Sequence, residues 1–123
     1  MYEYLCGKKV SKELFENYRN ALLKAFAHEY DVLTNRLWNC LKREKVCLEY
    51  EEIKKLGVPN SVLFYLERQE EIFDTSFGDV CRYIEQLEPW EYIDAYVFDD
   101  TLEWLIAITH EELRCLIVGL PQK

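Results

Sequence analysis

The stretch "DAYVFDDTLEWLIAITHEE", Asp94–Glu112, decides how this chain is read. In its middle, Glu103–Thr109, Trp104, Ile106 and Ile108 alternate with Leu105 and Ala107, so both faces are apolar. A strand with one wet face alternates apolar with polar, whereas one apolar on both faces belongs in the middle of a covered sheet. The flanking runs Ile93–Phe98 and Leu113–Val118 are equally rich in strand formers. Between the three runs lie Asp-Asp-Thr-Leu and His-Glu-Glu, polar sequences suited to tight turns. The pattern predicts an antiparallel meander.

Upstream the period changes from two to three and four. Leu14, Phe15, Tyr18, Leu22, Ala25 and Phe26 predict a helix over Lys12–Ala27, with Ser11 as its N-cap. Leu33, Leu37, Cys40 and Leu41 predict a second helix over Asp31–Arg43. No Gly or Pro interrupts His28–Tyr30, so one long bent helix is the competing reading. A short helix over Glu51–Leu56 is closed by Gly57 and Pro59. Ser61–Leu66 then reads as a strand, and the charged Glu67–Glu71 before Ile72-Phe73 is either a turn or a polar patch in one long strand. Val80, Cys81, Ile84 and Leu87 predict a last helix, closed by Pro89. The expected fold is α+β: N-terminal helices packed on a C-terminal, mainly antiparallel β-sheet, in the rough order α-α-α-β-α-β-β-β. With no repeat, low-complexity tract or linker, residues 1–123 are expected to form a single domain.

Composition supports a packed core. Half of the residues are hydrophobic and 15% aromatic, far from the composition of disordered chains. The start, MYEYLCGKKVSKELFE, lacks the apolar segment of a secretory signal, and no apolar run approaches a membrane span. The five cysteines, Cys6, Cys40, Cys47, Cys81 and Cys115, form no CxxC and are expected to be reduced, mostly in the core. A cytoplasmic location is the expectation.

Charge is unevenly spread. Residues 1–48 hold nine Lys/Arg and six Asp/Glu, whereas residues 49–123 hold six and seventeen. Tyr83–Leu113 contains nine carboxylates (Glu85, Glu88, Glu91, Asp94, Asp99, Asp100, Glu103, Glu111, Glu112) and no Lys or Arg. Such a surface repels phosphate and anionic lipid and attracts a basic protein. Direct nucleic-acid or membrane binding is therefore disfavoured.

Catalytic parts are scarce. Asp99-Asp100 with His110 has the residue types of a metal site, but consecutive residues on a strand point apart, and Asp is a turn residue in its own right. His110 has no nucleophile or second His at motif spacing, and Cys40 to Cys47 is wrong for a zinc knuckle. Glu52-Ile-Lys54 echoes half of a nuclease motif but lacks the preceding Asp on a strand. The four Gly form no phosphate-binding loop. The expectation is a protein without enzymatic activity, cofactor or metal. Trp90, Tyr92, Tyr96 and Trp104 beside carboxylates suit an interface instead, with a core role as the alternative for Trp104.

Pro89-Trp90, Asp94-x-Tyr96-Val-Phe98, Leu102-x-Trp104 and Thr109-His110-Glu111 resemble a group of small bacterial proteins. Some of these are encoded as immunity proteins beside secreted polymorphic toxins. The similarity runs from "VPNSVLFYL", at Val58, onward. It implies a cytosolic protein that binds and neutralises a cognate toxin, often a nuclease. The expected contact residues are Glu88 and Glu91 around Trp90, and Asp99, Asp100, Glu103, Glu111 and Glu112 at the turns. A non-enzymatic interaction module that homodimerises is the alternative expectation.

Overall fold

A computed structural model of the chain describes Tyr4 and residues 6–27, 46–53, 55–87, 93–109 and 114–119. Strands β1 (Lys8–Lys9), β2 (Val46–Glu49), β3 (Ser61–Leu66), β4 (Glu71–Ser76), β5 (Ala95–Phe98), β6 (Leu105–Ile108) and β7 (Arg114–Val118) build one sheet. Its order is β1-β4-β3-β5-β6-β7-β2, and every pairing is antiparallel. Helices α1 (Lys12–Phe26), α2 (Tyr50–Ile53) and α3 (Phe77–Glu85) complete the described elements.

This corrects the expected architecture. Three N-terminal helices stacked on a C-terminal sheet are not seen. Five central strands, β3 to β7, dominate instead, and strands from the N-terminal half close both edges: β1 against β4 and β2 against β7. The helix expected over Asp31–Arg43 lies outside the described residues. The long bent helix is excluded, because Ala27 leaves α1 in an extended conformation, φ −119° and ψ 154°.

Alternation in the strands explains the core. Phe64, Val97 and Ile106 stand side by side across β3, β5 and β6, as do Tyr65, Tyr96 and Ala107 one residue along. The two rows therefore face opposite sides of the sheet. The Phe64 side packs on Val80, Tyr83 and Ile84 of α3, with Tyr4 and Ile53. The Tyr65 side packs on Leu22 and Phe26 of α1. Both faces of β6 are buried, as its uniformly apolar sequence demands.

Local chemistry sets the ends of the elements. The Ser11 hydroxyl accepts the Leu14 N–H at 3.2 Å to cap α1, and Ser76 does the same for Asp79 at the start of α3. Leu14 itself is 47% exposed, so the buried stripe of α1 is narrower than its sequence suggests. Glu67–Glu71 resolves as a turn: Leu66 pairs with Glu71, and Glu70 adopts φ 55° to reverse the chain.

Candidate acidic interface at the turn between β5 and β6

Phe98 ends β5 inside the core, and the chain must reverse before Trp104 re-enters it. Asp99 organises that reversal. Its carbonyl accepts the Leu102 N–H at 3.2 Å, closing a β-turn, and Leu102 takes φ 55°. One carboxylate oxygen, Oδ1, accepts from the Thr101 N–H at 3.1 Å and from the Thr101 hydroxyl. The other, Oδ2, accepts from the Trp104 indole Nε1–H at 3.0 Å. Thr101 Oγ1 in turn accepts the Glu103 N–H at 3.3 Å. Gly119, just past β7 with φ +81°, lies so close to the Glu103 carbonyl that a β-carbon would collide with it.

The adjacent acids therefore have different jobs. Asp99 is half-buried and committed to the turn, whereas Asp100 and Glu103 are exposed. Asp74, exposed on β4, borders a crevice of about 120 Å³ with Tyr18, Ser61, Leu63, Asp99 and Asp100. Among the described residues no group of three or more His, Cys, Asp or Glu is placed to hold a metal ion. Glu88, Glu91, Glu111, Glu112, His110, Trp90 and Tyr92 lie outside the described residues.

Tyr96, an expected interface aromatic, is a core residue, and Trp104 takes the core role that its apolar strand suggested. Trp104 is 5% exposed, and Tyr96 is fully buried with its hydroxyl donating to Glu67 Oε1 at 2.6 Å. Asp94, which the sequence placed in a run without counter-charge, is buried and paired with Arg68 Nε at 2.7 Å. Arg68 comes from the turn between β3 and β4, and no local spacing links it to Asp94. Nearby, Arg19 Nε–H donates to the Tyr65 hydroxyl at 3.3 Å. Burial, opposed by that bond, raises the Tyr65 pKa and keeps the phenol neutral.

The cysteines divide as well. Cys81 is buried in α3, but Cys6 and Cys47 are free and exposed rather than core thiols. Cys40 and the Cys115 side chain lie outside the described residues. No described helix is long and apolar enough to cross a membrane. No protein-family model, curated protein or solved structure matches this chain.

Proposed function

We propose that this chain is an immunity-type protein, which binds and neutralises a basic cognate toxin in the cytosol through the acidic turn between β5 and β6. It performs no catalysis and uses no cofactor. The observation that carries this reading is the division of labour at the turn. Asp99 and Gly119 hold the backbone, and Asp100 and Glu103 are exposed to solvent on the turn they fix. A negative surface already fixed in shape loses little entropy on binding and steers a positive partner by long-range attraction. Glu88, Glu91, Glu111 and Glu112 extend the proposed contact set through their sequence positions.

The test is a double reversal, Asp100→Lys with Glu103→Lys, which leaves Asp99 and its bonds in place. The tagged chain is used to capture a basic partner from the source cell, and association is followed by stopped flow at low and moderate salt. The reversal is expected to slow association about tenfold or more at low salt and to flatten its salt dependence. Identical association kinetics for the two proteins would sink the reading.

The sheet edge supports a second reading. Among the described residues β2 pairs on one side only, with β7, and it carries the exposed Val46 and Cys47. Two copies pairing edge to edge would form a homodimeric module. A monomer in sedimentation at micromolar concentration removes it.

A further inference from the structure

At the far end of the sheet from the acidic turn, a groove of about 720 Å³ lies between α1 and the turn joining β3 to β4. The register separates the two places: β3 pairs Leu63 with Phe98 near the acidic turn and Leu66 with Ala95 near the groove. The volume falls within the range of roughly 300–1,000 Å³ usual for small-molecule sites. Phe15 and Ile72 supply apolar surface, and the rim carries both signs of charge. Lys12 and Arg19 lie two helical turns apart on α1, on either side of Phe15. Glu16 and Glu70 supply the carboxylates. Lys9 and Glu71 also line the groove but pair with each other at 2.8 Å.

Arg19 is the most constrained of these groups. Its Nε–H is held by Tyr65, which is 2% exposed and uncharged, so the guanidinium is oriented without being neutralised. An oriented guanidinium offers its remaining N–H groups as a fork suited to a carboxylate. A purely anionic ligand in the groove would face Glu16 and Glu70, and a purely cationic one would face Lys12 and Arg19. Only a ligand bearing both charges finds a favourable partner for each of them in the groove.

We propose that the groove binds a zwitterion of the α-amino-acid class with an apolar side chain. The ligand's carboxylate lies on Arg19 and Lys12, its ammonium group faces Glu70, and its side chain covers Phe15 and Ile72. The site shares no residue with the acidic turn, so its failure leaves the toxin-binding reading untouched.

The experiment is an amide-shift titration of the full ¹⁵N-labelled chain with L-phenylalanine and with L-leucine. It is repeated with the N-acetyl and the carboxamide derivatives of each. Saturable shifts are expected at Phe15, Arg19, Glu70 and Ile72. Removing either ligand charge, or introducing Lys12→Gln or Glu70→Gln at these exposed positions, is expected to weaken binding about tenfold. Three results overturn the proposal: no saturable shift at those residues with either amino acid, equal binding of the blocked derivatives, or unchanged affinity in both variants.

Discussion

Asp99 and Asp100 are adjacent and chemically identical, yet only one of them supports the fold. Replacing Asp99 with Ala strands the Trp104 indole N–H, whose ring is buried, and removes the acceptor for Thr101. An unmet buried donor costs about 1–3 kcal/mol, so Asp99→Ala should lower the urea midpoint clearly. Asp100→Ala, at an exposed position, should change stability by no more than about 0.5 kcal/mol. Equal losses from the two variants would contradict the assigned roles. The sequence marked the pair as a turn, but nothing in "FDDT" says which carboxylate turns inward, because that depends on Trp104 returning five residues later. Tyr4 makes a second residue-scale case. Its hydroxyl lies 2.5 Å from Thr75 Oγ1, and burial pushes its pKa up to about 12, against the lowering effect of that bond. An unfolded tyrosine ionises near pH 10, so between about pH 10 and 12 the unfolded chain holds fewer protons than the native one. Stability should therefore be flat in this respect below pH 10 and fall as pH rises through that window. Chemical denaturation across the window should show a shallower fall for Tyr4→Phe, which has no proton to lose at that site.

Helix α1 shows how far periodicity carries at the scale of an element. Its bounds and its Ser11 cap were legible, because capping chemistry and a 3.6-residue repeat are local properties. Which apolar residues it buries was less legible. The helix lies on one face of the sheet, so Leu22 and Phe26 are fully covered, while Leu14 projects beyond the contact. Leu22→Ala should cost about 2–5 kcal/mol by leaving a cavity, whereas Leu14→Ala should be near neutral, both read from denaturant midpoints. A comparable loss from Leu14→Ala would mean that α1 packs differently. The edge strands were not legible at all. Lys8-Lys9 has no strand pattern of its own and becomes β1 only because Asp74 and Phe73 lie opposite. Val46–Glu49 likewise becomes β2 by pairing with β7, a partner far along the chain that no local window contains. The meander of β5, β6 and β7, whose partners are sequence neighbours, was read correctly for the same reason. Short-range pairing can be recognised locally, and edge pairing across the chain cannot.

At the scale of the whole molecule, the strand order gathers carboxylates that are distant in sequence at one end of the sheet. The turn after β5 and Asp74 of β4 meet there, where Asp74, Asp99 and Asp100 border the same crevice and Lys8 stands opposite Asp74. The opposite end carries both signs: Arg19 and Arg68, each engaged with a sheet residue or its neighbouring loop, and Glu16, Glu70 and Glu71. The run from Tyr83 to Leu113 looked like continuous negative charge, but folding takes Asp94 out of it through Arg68 and ties Asp99 into its turn. Among the described residues of the run, Glu85, Asp100 and Glu103 are the carboxylates that face solvent. With a net charge of −8, carboxylates crowded at one end repel each other in the native state more than in an extended chain. Raising salt from about 0.01 to 0.15 M shortens the screening length from roughly 30 to 8 Å, which should relieve that repulsion and raise the melting temperature. The double variant Asp100→Asn with Glu103→Gln removes two of the exposed charges at the turn and should show a smaller rise over the same salt range by calorimetry. A rise of the same size in the variant would place the repulsion elsewhere on the molecule. It would also weaken the case for the turn as the surface that draws in a basic partner, because the field felt by that partner is the one the native state must itself withstand.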